Sequence, residues 1–241
     1  VLVSGHLDSW DVGQGAMDDG GGAFISWEAL SLVRDLGLRP KRTLRLVLWT
    51  AEEQGGIGAS QYYQLHKVNI SNYSLVMESD SGTFLPTGLQ FTGSDKARAI
   101  MEEVMRLLQP LNVTQVFSDG EGTDINFWIQ AGVPVLSEIE MQELPRCQSV
   151  RSVAVMIRRL LGIAETKLRN SHQATLTASV LISILTGGAS LRDELYKYFA
   201  FHHSHGDTMT VMDPKQMNVA AAVWAVVSYV VADMEEMLPR S

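Results

Sequence analysis

Residues 5–22 read GHLDSWDVGQGAMDDGGG and place one histidine, four aspartates and six glycines directly after a short apolar run, VLVS. Carboxylates that crowd a crevice repel one another, and some of them must hold protons unless a cation lies between them. Imidazole and carboxylate together suit zinc or another divalent transition metal, whereas magnesium and calcium prefer oxygen ligands alone. This segment therefore predicts one side of a metal site.

Acidic side chains also follow two later apolar runs. Glu52 and Glu53 come directly after TLRLVLWTA, Asp80 follows YSLVMES, and Asp18 lies on the loop that leaves the first run. In open parallel sheets the carboxyl ends of the strands meet at one crevice, where ligands bind. Each motif alone is more often a structural histidine or a solvated turn. Their joint occurrence after three strands favours a metal site over those interpretations, and no GK[ST] follows the glycines to support a phosphate loop.

The elements that must position these residues alternate between strands and helices. Short runs rich in β-branched residues predict strands over 1–4, 43–50, 73–79, 89–93, 113–117 and 133–136. Helical patterns occupy 23–37, 58–67, 94–111 and 123–132, and a long final helix begins at Pro214 with Asp213 as its N-cap. The alternation predicts an α/β fold, a three-layer sandwich with a mostly parallel, twisted central sheet.

Residues 135–187 differ in composition from the rest of the chain. They contain no aromatic residue, although the sequence has 5 Trp, 6 Tyr and 7 Phe. Their six Lys or Arg and four Glu give a net charge of +2, whereas the whole chain carries −8. We interpret this segment as an atypical helix-rich insertion in one domain made of residues 1–134 and 188–241.

Composition excludes several classes of partner. A net charge of −8 without a basic cluster argues against a nucleic-acid partner. The longest apolar stretches, 219–231 and 174–185, are shorter than the roughly 20 residues that span a bilayer, so they predict buried helices rather than membrane spans. The one cysteine, Cys147, leaves no internal disulfide.

Three N-x-S/T sequons bear on the location of the protein. They are candidate glycosylation sites at Asn69, Asn72 and Asn112. The sequence begins inside an apolar run without Met, so a signal peptide is not present in it and is expected to precede it. Together these features favour a secreted protein or one of the secretory pathway or lysosome.

Five segments, in the same order, resemble the di-zinc exopeptidases of the aminopeptidase and glutamate-carboxypeptidase type. They are GHLDSWDVGQGAMDDGGG, TAEEQGGIGAS, MESD, GTDINFWIQAGVP and HHSHGDT. The resemblance covers residues 1–134 and 188–241. It implies the zinc-peptidase fold, incomplete at its N-terminus, with a cis peptide within the DD pair and a homodimer as one assembly.

The resemblance also implies a set of ligands for two zinc ions. Asp18 would bridge the ions, His6 and Asp80 would complete one site, and Glu53 and His203 would complete the other. A short peptide or dipeptide would then be the substrate.

The histidine segment leaves the last ligand open between His202, His203 and His205. His203 is preferred because it precedes Gly-Asp-Thr at the spacing of the family.

The catalytic roles implied by the resemblance fall to two other acids. Glu52 would be the general base beside a zinc-bridged water, and Asp8 would orient His6 through its other ring nitrogen. The prediction is a metallo-exopeptidase that hydrolyses dipeptides or short peptides. Two alternatives stay open, a catalytically silent variant that acts only by binding and a single-zinc acyltransferase similar to glutaminyl cyclases.

Overall fold

Strands and helices alternate along residues 1–139 and 194–241, the parts of the chain that this computed structural model describes. The strands there are β1 (Leu2–His6), β2 (Arg45–Trp49), β3 (Val76–Glu78), β4 (Gly88–Thr92), β5 (Gln115–Phe117) and β6 (Val135–Ile139). The helices in the same ranges are α1 (Gly21–Asp35), α2 (Ile57–His66), α3 (Asp95–Arg106), α4 (Asn126–Ile129), α5 (Glu194–Phe201) and α6 (Pro214–Asp233).

The described strands form one sheet in the order β2-β1-β3-β6-β4-β5. β2, β1, β3 and β6 are parallel, β4 runs antiparallel to β6, and β5 is parallel to β4. The carboxyl ends of β1, β2 and β3 therefore lie at the same edge of the sheet. The prediction of a mostly parallel α/β sheet is confirmed.

Successive strand residues face opposite layers, because side chains alternate along a strand. Val3 and Met77 pack in the apolar core that includes α1, α3 and α6. Their neighbours Leu2 and Val76 pack in the other core, which includes residues of α2 and α4. Helices thus cover both faces of the sheet, as the predicted three-layer sandwich requires.

The final helix, α6, is the longest described helix. It begins as predicted, with the Asp213 carboxylate accepting a hydrogen bond from the Lys215 N–H at 2.8 Å. Among the described helices it alone is long and apolar enough to cross a membrane, but 67% of its apolar window is buried inside the molecule. It is the core helix predicted over 219–231, whereas 174–185 lies outside the described residues.

The first five residues of the predicted insertion belong to the central sheet. Residues 135–139 form β6, which pairs with β3 on one side and β4 on the other. An interior strand covered on both faces needs apolar residues but no aromatic ones, so composition did not separate β6 from the segment after it. The rest of that segment lies outside the described residues, where the insertion and the division into domains stay predictions.

The three sequons lie on short helical turns. Asn69 and Asn72 are exposed in the 3₁₀ helix Lys67–Asn72. Asn112 is half-buried and follows the 3₁₀ helix Gln109–Leu111 in a left-handed conformation, with φ of 62°. Their glycosylation stays a prediction.

Candidate metal centre

His6 is the last residue of β1 and is fully buried. Its backbone N–H donates to the Asp19 carboxylate at 2.9 Å, and its ring Nδ1 lies 2.9 Å from the carbonyl oxygen of Asp8. Because a carbonyl oxygen only accepts hydrogen bonds, Nδ1 carries the hydrogen in this contact. In the neutral ring, Nε2 then has the free lone pair that a metal ligand needs.

Asp8 contacts the other ring nitrogen of His6 through its backbone carbonyl. The Asp8 carboxylate lies 3.9 Å from Nδ1, beyond hydrogen-bond distance, and the backbone carbonyl makes the contact instead. The carboxylate accepts hydrogen bonds from the N–H groups of Glu52 and Glu53, at 3.0 and 3.2 Å. These two N–H groups lie just past the end of β2 and bind the Asp8 carboxylate.

The two oxygens of Asp18 face two different groups of side chains. Oδ1 lies 3.2 Å from His6 Nε2, which is also 3.3 Å from Asp80 Oδ1. Oδ2 lies 3.3 Å from His203 Nε2, which is also 3.0 Å from Glu53 Oε2. The four other side chains predicted as metal ligands therefore lie together with Asp18.

Glu52 lies beside this group rather than within it. Its Oε2 is 3.8 Å from His6 Nε2, and its side chain is buried. Glu53, the next residue, points instead to His203. Consecutive acids after β2 thus point to different parts of the centre, as the sequence predicted.

The candidates for the last histidine ligand are narrowed to two. His202 Nε2 lies 3.3 Å from Asp18 Oδ2, and its ring stacks on that of His203 with centroids 3.5 Å apart. His203 approaches both Asp18 and Glu53, whereas His202 approaches only Asp18 among the ligand carboxylates. His205 is exposed and belongs to neither group of potential ligands found in the described residues.

The electrostatics of the centre fit a bound cation. Glu53 Oε1 is buried and makes no hydrogen bond among the described residues. Burial, and then the Asp18 charge, raise the pKa of the Glu53 carboxyl, and burial raises that of Asp80 to about 6. Burial alone would lower the pKa of His6, but hydrogen bonds to Asp18 and Asp80 raise it above its ordinary value. A divalent cation between these groups would take the place of the protons.

Three buried acids beside the centre were not predicted as site residues. Asp19 accepts from the N–H groups of His6 and Gly22 and joins β1 to α1, and its peptide bond to Asp18 is cis, as the resemblance implied. Burial and the Asp80 charge raise the pKa of Glu78, and burial raises that of Asp124 to about 7. All three lie in motifs quoted above, DDG, MESD and TDIN. The acidic residues of these motifs were the sequence signal that could have identified them.

Fold and site together define an α/β protein with imidazole and carboxylate ligands at the carboxyl edge of its sheet. The model of peptidase family M28 matches residues 1–228, and the chain therefore belongs to this family. The resemblance seen in the sequence is thereby confirmed.

The chain is similar in sequence to two named enzymes. The chain is 73% identical over 241 residues to carboxypeptidase Q of Homo sapiens, covering all of this chain and 40% of that protein. The leupeptin-inactivating enzyme 1 of Streptomyces exfoliatus is 31% identical over 145 residues, which are 56% of this chain and 31% of that protein. The chain thus spans 40% of the length of the carboxypeptidase Q sequences that it matches.

Solved structures share the fold. A peptidase M28 precursor from Shewanella amazonensis has a TM-score of 0.72 at 27% identity, over all of this chain and 43% of that one. A zinc aminopeptidase of Bacillus subtilis has a TM-score of 0.59 at 15% identity, over 99% of this chain and 49% of that one. The second likeness shows the fold alone.

Proposed function

We propose that this centre is that of a metallo-exopeptidase which holds two zinc ions and hydrolyses dipeptides or short peptides. The observation that carries the proposal is the position of Asp18, whose two carboxylate oxygens face two separate groups of ligand side chains. Membership of the M28 family and the similarity to carboxypeptidase Q support the choice of peptide hydrolysis. A zinc aminopeptidase among the structures of the same fold supports the choice of metal.

The ligand residues and Glu52 would divide the work. Two zinc ions held by these residues would polarise the scissile carbonyl and lower the pKa of the attacking water. His6, Asp80, Glu53 and His203 would hold the ions, and the Glu52 carboxylate would accept the proton of the water and deliver it to the departing amine. Asp8 would hold the backbone of Glu52 and Glu53 and the ring of His6.

Two alternatives make different demands on the same residues. A silent variant would keep the fold and bind peptides without cleaving them. A single-zinc acyltransferase of the glutaminyl-cyclase type would leave one group of ligands around Asp18 without metal. The two-sided contacts of Asp18 favour the peptidase. A secreted or lysosomal location and a homodimer are further proposals that follow from the resemblance and the sequons.

The test measures zinc content and dipeptide hydrolysis on the full chain and on Glu52→Gln. Wild type should bind two zinc ions and hydrolyse dipeptides, and Glu52→Gln should keep the zinc but lose about 10²–10⁴-fold in kcat. Glu103→Gln, the same change on an exposed position of α3, should alter neither quantity. Zinc-loaded wild type without hydrolysis would favour the silent variant. One zinc with cyclisation of an N-terminal glutamine would favour the acyltransferase.

A further inference from the structure

Asp207 lies four residues after His203, on the loop between α5 and α6. Its side chain is buried, with the residue only 3% exposed. Oδ1 accepts a hydrogen bond from the Met17 N–H at 2.6 Å, and Oδ2 accepts one from the Asp18 N–H at 3.2 Å. The carboxylate thus binds the backbone that carries the central acid of the metal centre.

Further contacts join the same two loops. The Gln14 N–H donates to the Asp207 carbonyl oxygen at 2.7 Å. The Met209 N–H donates to the Gln14 side-chain oxygen at 2.9 Å. A Cβ on Gly13 would lie only 2.6 Å from the Ser204 carbonyl oxygen, so the backbones pack closely there. Residues 13–18 and 204–209 are therefore docked along their length.

This docking sets the distance between Asp18 and His203, which no strand sets. Asp18 and His203 approach each other at 3.3 Å, although they are far apart in sequence. Asp18 lies in the π-helical turn Ala16–Gly20, between the loop after β1 and the start of α1, and His203 follows the end of α5. Neither residue lies in a strand, so their separation depends on the hydrogen bonds between their loops.

We propose that Asp207 is a positioning residue that holds Asp18 in register with His203, so that both can bind one metal ion. This inference rests on the proposed metal centre. Only a carboxylate gives each of the two N–H groups its own acceptor oxygen. In Asp207→Asn one of those groups would face an amide NH₂, which cannot accept a hydrogen bond. The loop that carries Asp18 would then lose one of its two attachments to this side chain.

The test is a competition titration with zinc on the full chain, for wild type, Asp207→Asn and Asp213→Asn. Loss of a residue that orients a ligand typically weakens metal affinity about 10- to 100-fold, and we expect a loss in this range for Asp207→Asn. Asp213→Asn makes the same change of charge at the cap of α6, where asparagine also caps, and should bind zinc like wild type.

A second readout separates this inference from the proposed function. Hydrogen exchange of the metal-free proteins, followed in a peptide that covers residues 14–20, should be faster in Asp207→Asn than in the other two. Equal zinc affinities of Asp207→Asn and wild type would overturn the inference, even if Asp207→Asn is less stable. If wild type binds no zinc, the proposed centre fails, and exchange alone decides: unchanged exchange in Asp207→Asn overturns the role of Asp207.

Discussion

The two halves of the candidate metal centre are held by different kinds of structure. In the strand-held half, His6 ends β1 and is fully buried, and Asp80 follows β3 by two residues. In the loop-held half, His203 lies after α5 with φ of 54° and 42% of its side chain exposed, and Glu53 lies in the turn after β2. Sheet hydrogen bonds fix the first half, whereas a few contacts between loops fix the second.

This difference has a consequence for stability and for metal binding. Removing a ligand from the strand-held half leaves buried charges without partners, which is costly even without metal. Removing His203 from the loop-held half takes away a side chain that is 42% exposed, so less burial is lost than on removing His6. We therefore expect the first half to contribute to folding as well as to zinc binding, and the second mainly to zinc binding.

The largest predicted effect is the difference in the free energy of unfolding between His6→Ala and His203→Ala. Both variants should lose more than about 100-fold in zinc affinity, beyond the usual effect of a residue that only orients a ligand. In the metal-free protein, His6→Ala should also lower the free energy of unfolding by about 3–5 kcal/mol. His203→Ala should lower it by less than about 1 kcal/mol.

Urea unfolding of the metal-free proteins measures this difference, with His205→Ala as the exposed control. Equal losses of stability in His6→Ala and His203→Ala would remove the distinction between the two halves.

Packing beneath the strand-held half gives the next effect. A Cβ on Gly22 would overlap the carbonyl oxygen of Ser79 and the carboxylate of Asp19. Gly22→Ala should therefore cost about 1–3 kcal/mol of stability and weaken zinc binding. Gly37 has φ of +70° and open space around it. Gly37→Ala should therefore cost about 1 kcal/mol of stability and leave zinc binding intact. Denaturant curves and zinc titrations of both variants test this, and weaker zinc binding in Gly37→Ala alone would contradict it.

The pH dependence of the metal-free protein should reflect the buried acids. Burial raises the pKa of Asp80 to about 6 and that of Asp124 to about 7, from 3.8. At a pH between the unfolded and the folded pKa, these carboxyls hold protons in the folded state that the unfolded chain has released. The free energy of unfolding should therefore fall as the pH rises from about 4 to 7. The raised pKa of His6 acts in the same direction at higher pH, since its stabilising proton is lost as the pH rises.

Zinc should reverse this slope, because bound metal requires the carboxylates to be ionised. Urea midpoints at about pH 5 and 7 with and without zinc measure the effect, and Asp124→Asn should flatten the metal-free slope. A metal-free protein that becomes more stable as the pH rises from about 5 to 7 would contradict the account.

The smallest effect is expected far from the centre, at the start of α3. The Ser94 hydroxyl accepts a hydrogen bond from the Ala97 N–H at 3.2 Å and donates to the Pro239 carbonyl at 3.0 Å. Ser94→Ala should cost about 1 kcal/mol of stability. Thermal unfolding and a zinc titration check it, and a changed zinc affinity would show that stability and the metal centre are not separable here.

The strand-held half could be predicted from the sequence because it depends on the ends of strands. His6 ends β1 and Asp80 lies just past β3, and these two strands pair in parallel, which brings their carboxyl ends to one edge. The boundaries of most strands and helices differ from the predicted ones by only a few residues.

What the sequence did not predict depends on local backbone geometry. Which atom of Asp8 meets His6 is decided by the path of the chain after β1. The role of Asp207 depends on two loops that are docked across a gap of about 190 residues. The interior place of β6 depends on its partners and not on its composition. None of these follows from periodicity or spacing.

Asp18 is proposed to join two metal sites, and native mass spectrometry of the zinc-loaded full chain counts the ions that it holds. We expect two zinc ions in wild type and fewer than two in Asp18→Asn, whose amide cannot bridge two cations through two anionic oxygens. A wild-type chain that holds at most one zinc ion, or an Asp18→Asn chain that keeps both, would contradict it.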